Sequence, residues 1–164
     1  MADPTELPPA LQGERFRFGD LSCYVAGQGP PLVLIHSMNA SPSAAEVRPL
    51  FDRYAASRTV FAPDLPGCGC SDRTDRRYDP RLMTDALHAL AEQVRRRCGE
   101  QRIDALAVST GCEFLARAAM ERPERWRCLA LVSPTGLNGR RPQRGPAGST
   151  RAIPGLHAVL GARP

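Results

Sequence analysis

The stretch Leu106–Phe114, LAVSTGCEF, decides how the rest of the chain is read. It joins an apolar run (Ile103–Val108, IDALAV) to a segment of small residues that suits the start of a helix. A lone serine, Ser109, stands at the junction. As a helix cap it would only supply an oxygen to free backbone N–H groups. On a sharp strand-to-helix turn at the end of a sheet it would instead present an exposed hydroxyl. The spacing Ala107-x-Ser109-x-Gly111 suits the second reading, because a strained turn of that kind leaves no room for large side chains two residues either side. On its own the five-residue pattern is weak, and its surroundings have to carry it.

Those surroundings alternate. Arg15–Phe18 (RFRF) and Leu21–Ala26 (LSCYVA) flank Gly19-Asp20 and are expected to form a hairpin. Pro31–His36 (PLVLIH) is an almost unbroken apolar run, the signature of a strand buried on both faces. Ser43-x-x-Glu46 has capping-box spacing ahead of Val47, Leu50, Phe51 and Tyr54 at helical intervals. Pro49 should kink that helix or delay its regular part. Arg58–Pro63 (RTVFAP) is a second core strand, ended by the turn-rich Asp64–Asp72 (DLPGCGCSD). Asp79 and Pro80 suit the N-cap and first position of a helix carrying Met83, Leu87, Leu90 and Val94 on one face and stopping near Gly99. Ile103–Val108 is a third core strand, Ser109 to about Arg122 a third helix closed by Pro123, and Cys128–Ser133 (CLALVS) a fourth core strand.

Repeated strand–helix–strand units predict an α/β fold, a mostly parallel sheet with helices on both faces. In such sheets ligands bind at the carboxyl ends of the strands, which is where Ser109 would sit. The N–H of Thr110 at the helix start would then face any oxyanion formed there.

Composition narrows the function classes. The chain has 164 residues, 42% hydrophobic and 24% charged, enough for one packed core. All 22 basic residues are arginine, and the 17 carboxylates all precede Arg125, leaving a basic, Gly/Pro-rich tail at 139–164. That tail has no reading helix and no interleaved aromatics, so nucleic-acid binding is not expected. No signal-peptide pattern is visible and no apolar run approaches the ~20 residues of a membrane helix, so no membrane association is expected and a cytoplasmic location is. The six cysteines are expected to be reduced. Cys68-x-Cys70 lacks the second pair or histidine cluster of a metal site and is expected to be structural; no cofactor is expected.

Taken together these residues resemble the α/β-hydrolase family from about Pro31 to Gly136. The landmarks are Leu32–Ser37 (LVLIHS), Asp64–Asp72 (DLPGCGCSD), Ala107–Gly111 (AVSTG) and Leu131–Gly136 (LVSPTG), in the family's order. The resemblance implies an incomplete hydrolase fold, with 1–138 as the N-terminal part of the core domain and 139–164 as the start of a lid. It implies Ser109 as nucleophile and the backbone N–H groups of Met38 and Thr110 as the oxyanion hole. Several positions depart from the family pattern: Ser37 stands where the glycine of His-Gly is usual, Ala107 and Cys112 where glycine is commoner, and Cys68 and Cys70 where an aromatic and a polar residue are usual. His36 is expected to organise its loop, Asp64 to order the loop after its strand, and His88 to be solvated.

The family's chain order is Ser, then acid, then His. From Arg125 onward there is neither Asp nor Glu, and the one histidine is His157. The chain is therefore expected to stop after about the sixth strand, inside the lid, without its acid and base. Two functional classes stay open: a serine hydrolase acting on a small-molecule ester or related acyl substrate, or a non-catalytic binding module of the same fold. The strand Cys128–Val132, with no further strands to cover it, is expected to leave an apolar edge through which the chain self-associates.

Overall fold

The computed structural model describes residues 9–135. The tail 139–164 and His157 lie outside the described residues. A six-stranded mixed sheet is built from β1 (Glu14–Phe18), β2 (Leu21–Ala26), β3 (Pro31–Ile35), β4 (Thr59–Asp64), β5 (Ile103–Val108) and β6 (Trp126–Val132), in the spatial order β1-β2-β4-β3-β5-β6. The β1–β2 hairpin and its β2–β4 contact are antiparallel, whereas β4, β3, β5 and β6 run parallel. This is the mostly parallel, partial α/β-hydrolase-type sheet that the sequence predicts.

The apolar runs are continuous because both faces of the sheet are covered. Val33 and Ile35 pack with Phe61, Ala105 and Ala107 against α2 (Pro80–Cys98) and α3 (Gly111–Glu121). Leu32 and Leu34, one step out of phase, pack with Val60 and Ala62 against Val47 and Phe51 of α1 (Arg48–Tyr54) and the single helical turn before it, Ala44–Val47. Period-two alternation thus sends successive residues of one strand into opposite cores.

Helix ends follow their local chemistry. Asp79 caps α2 by accepting the N–H of Leu82 at 3.0 Å, Pro80 opens the helix, and Gly99 closes it at φ 77°. Pro49 lies in the first turn of α1, where its missing N–H costs nothing. It delays the regular helix until after a tight turn and produces no kink.

Three expectations need correcting. α3 begins at Gly111, not Ser109, because Ser109 and Thr110 form the turn itself. β6 begins at Trp126, two residues early, since Trp126 pairs with Ile103 through an irregularity in register, and Ser133 lies outside the strand. His88 is not free in solvent: α3 packs over α2 and brings Glu121 to 2.8 Å from His88 Nε2.

Among the described residues no helix is long and apolar enough to cross a membrane, and no group of three or more His, Cys, Asp or Glu could hold a metal. All six cysteines are free.

Candidate active site

Parallel register aligns the carboxyl ends of the central strands. Ile35 pairs with Ala107 and Val108 with Val132, so His36, Ser109 and Ser133 leave the sheet along one edge. Ser109 has φ 52°, a left-handed backbone that costs a non-glycine residue roughly 1–2 kcal/mol. Neighbouring hydrogen bonds hold it there. Its N–H donates to Val132 O at 2.9 Å, and its carbonyl accepts from the N–H groups of Cys112 (3.1 Å) and Thr135 (3.3 Å). The residue is half-buried, and its hydroxyl lies 3.4 Å from Thr135 Oγ1 at the exposed end of the turn.

Small residues are required on either side. Ala107 is fully buried, with its carbonyl accepting from Cys112 Sγ at 3.2 Å. A Cβ at Gly111 would lie 2.6 Å from His36 O and 3.1 Å from Ile35 Cγ2. The start of α3 is therefore in direct contact with the end of β3, which sets the turn Ser109–Gly111 against the loop carrying Met38. Thr110 occupies the N-cap of α3 and its Oγ1 lies 3.1 Å from Thr135 Oγ1.

The loop after β3 is organised by His36. Its Nδ1–H donates to Ser37 O at 2.7 Å, and its Nε2 accepts the N–H of Leu65 at 3.0 Å, a pattern that requires the neutral ring. Burial holds the imidazole below its usual pKa, against the opposing pull of the Ser37 carbonyl and of the Asp64 and Glu46 charges. Unfolded, the ring titrates near 6.5. Between that value and the lower native one, only the unfolded chain binds the proton, so stability falls as pH falls through this window. Its slope approaches ~1.4 kcal/mol per pH unit for one group. Urea unfolding at several pH values between 5 and 7 should show this loss, and His36→Asn should flatten it; an equal slope in the variant would assign the loss to another group.

Asp64, at the end of β4, is fully buried and accepts the N–H groups of Ala44 (2.8 Å) and Cys70 (2.9 Å). Both bonds order loops, as expected of this residue. Cys68 Sγ sits 3.9 Å from Met38 Sδ, and burial pushes the thiol up to about 11. A cavity of about 320 Å³ opens beside Met38, walled by Pro42, Pro66, Cys68, Arg73 and Tyr78.

Sequence reasoning missed two members of this neighbourhood. Thr135 reaches Ser109 because Ser133 also takes a left-handed backbone, φ 47°, and turns the chain back over the neighbouring strand. Glu46 has capping-box spacing to Ser43, yet Ser43 makes no side-chain cap and the Glu46 carboxylate binds Ser37 instead. The signal for the latter was Ser37 itself, a polar residue at a position where glycine is usual.

A family model described as the alpha/beta hydrolase fold matches residues 30–154. The chain is similar to 2-hydroxymuconate semialdehyde hydrolase of Pseudomonas sp. (strain CF600), 32% identical over 115 residues, covering 69% of this chain and 39% of that one. It is also similar to an abhydrolase domain-containing protein of Caenorhabditis elegans, 31% identical over 113 residues, covering 69% and 25% respectively. Among solved structures, an alpha/beta hydrolase fold protein from Burkholderia ambifaria superposes with a TM-score of 0.71 at 27% identity, over 92% of this chain and 53% of that one. The chain thus spans well under half the length of the curated relatives it matches here. With the strand order, the turn at Ser109 and these matches in agreement, the chain belongs to the alpha/beta-hydrolase fold family.

Proposed function

We propose that this chain carries the nucleophile half of a serine hydrolase acting on an ester or related acyl substrate. The observation that carries the reading is the left-handed backbone of Ser109 at the strand–helix junction. A chain retains such strain where the surroundings over-determine it, and residues of this kind cluster at active sites. Relatives named as hydrolases support hydrolysis as the reaction class.

In this reading Ser109 Oγ attacks the acyl carbon, and the N–H groups of Met38 and Thr110 receive the oxyanion. A serine oxygen suits acyl transfer, whereas dehalogenation in similar proteins uses a carboxylate. The proton acceptor is not one of the described histidines, because His36 spends both ring nitrogens on Ser37 and Leu65, and His88 faces Glu121. On this reading the base comes from a residue outside those described. The second reading, a binding module without turnover, rests on the engagement of both described histidines with other partners. Assaying the full-length protein with p-nitrophenyl acetate and a short haloalkane separates the cases. Ester hydrolysis without halide release supports the serine hydrolase, and no turnover of either favours the binding module.

We also propose that the 164-residue chain, expressed alone, self-associates through β6. Among the described residues β6 pairs only with β5, and Leu131 and Val132 are 37% and 43% exposed. Unpaired apolar edges template pairing with other chains. Sedimentation velocity at several concentrations should show a rising average mass; a concentration-independent monomer would remove this proposal.

A further inference from the structure

We propose that Glu46 is a positioning residue for the oxyanion hole, acting through Ser37; this rests on the serine-nucleophile reading above. The Glu46 carboxylate grips one residue twice. Oε2 accepts the Ser37 N–H at 2.5 Å and Oε1 accepts the Ser37 hydroxyl at 2.8 Å. That hydroxyl in turn accepts from Asn39 Nδ2 at 3.2 Å, and Asn39 Oδ1 accepts the N–H of Ser41 at 2.9 Å. The turn bearing Glu46 is itself anchored, because Ala44 N–H donates to the buried Asp64 carboxylate.

The consequence falls on the next peptide. Ser37 C=O is held by His36 Nδ1–H at 2.7 Å. That carbonyl and the Met38 N–H belong to one planar trans peptide and point in opposite directions. With the carbonyl drawn towards His36, the Met38 N–H is aimed away from the imidazole. Glu46 removes the remaining freedom by fixing the N–H and the side chain of the residue from which that peptide extends. A glycine at 37 would lack the hydroxyl, so one of the two grips would be missing. Ser37 and Glu46 are thus a matched pair, and the departure from the usual His-Gly is compensated by a carboxylate nine residues on.

A donor that must be aimed before charge develops affects kcat more than substrate binding. In the full-length enzyme acting on an activated ester, Glu46→Ala is expected to lower kcat roughly tenfold with KM within about twofold. Glu46→Gln keeps an acceptor for the Ser37 N–H and should retain about half of kcat, which separates aim from charge. Ser37→Gly combined with Glu46→Ala should be no slower than Glu46→Ala alone, because the two residues act as a unit. Amide hydrogen exchange at Ser37 should accelerate at least roughly tenfold in Glu46→Ala. An unchanged kcat, a change confined to KM, independent multiplicative effects of the two substitutions, or unaltered exchange at Ser37 would each overturn the proposal. Failure of the serine reading looks different: turnover that survives Ser109→Ala overturns both, whereas loss in Ser109→Ala with none in Glu46→Ala overturns the positioning role alone.

Discussion

On the serine-nucleophile reading, replacing Ser109 by alanine is expected to lower kcat for an acyl ester by roughly 10³–10⁶-fold, about 4–8 kcal/mol of transition-state stabilisation. On the proposed mechanism the covalent route disappears with the hydroxyl, while oxyanion stabilisation and substrate binding would remain and account for the residual rate. KM should change little, because the hydroxyl contributes little to ground-state binding. Stability should respond differently. Ser109→Gly removes the left-handed strain at φ 52°, and it should match or exceed the wild type by up to ~1 kcal/mol while losing the same activity. Kinetics and urea unfolding of both variants check the pair of outcomes. Retained turnover in Ser109→Ala, or a Ser109→Gly protein much less stable than the wild type, would show that the turn does not hold a strained nucleophile.

Removing the Asp64 carboxylate should produce the largest loss of stability of any single change near the site. Its two oxygens satisfy N–H groups from separate loops, those of Ala44 and Cys70, in a fully buried position. Its backbone carbonyl accepts from Ser71 Oγ at 2.6 Å, and that hydroxyl oxygen accepts the Ser22 N–H at 2.9 Å. The chain passes so close that a Cβ at Gly69, where φ is 48°, would lie 2.2 Å from the carboxylate. Asp64→Ala strands two buried donors, each costing roughly 1–3 kcal/mol, and leaves a void besides. A loss of about 3–5 kcal/mol is expected, a large part of the 5–15 kcal/mol typical of a domain. Asp64→Asn keeps one acceptor and should cost about half as much. Denaturant midpoints measure both; a loss under about 1 kcal/mol for the alanine variant would mean that water or backbone rearrangement replaces the carboxylate.

These two residues also mark what the sequence made legible. The sheet was readable because Pro31–Ile35 is apolar throughout and Ile103–Val108 is apolar but for Asp104, the runs expected of strands covered on both faces. The start and end of α2 were readable because Asp79, Pro80 and Gly99 each solve a local backbone problem. The turn at Ser109 was readable from Ala107 and Gly111, whose size is dictated by the contact between α3 and β3. Contacts that depend on long-range register were not readable. Thr135 meets Ser109 only because β6 lies beside β5 and a second left-handed residue turns its chain back. Glu46 has the spacing of a local cap, yet its carboxylate goes to a polar residue in another loop. His88 lies on what reads as a solvated helix face until α3 packs across it. Local rules cover backbone needs within a few residues; which loop competes for a side chain is settled by tertiary packing.

The central claim is that the strained serine of the strand–helix turn is an acyl-transfer nucleophile. Its most direct measurement is covalent trapping. The full-length protein is treated with a fluorophosphonate, digested, and mapped by mass spectrometry beside an identically treated Ser109→Ala variant. One phosphonyl adduct is expected, on the peptide containing Ser109, absent from the variant and blocked by prior unfolding. No adduct at Ser109, or an adduct on another residue that persists in Ser109→Ala, would contradict it.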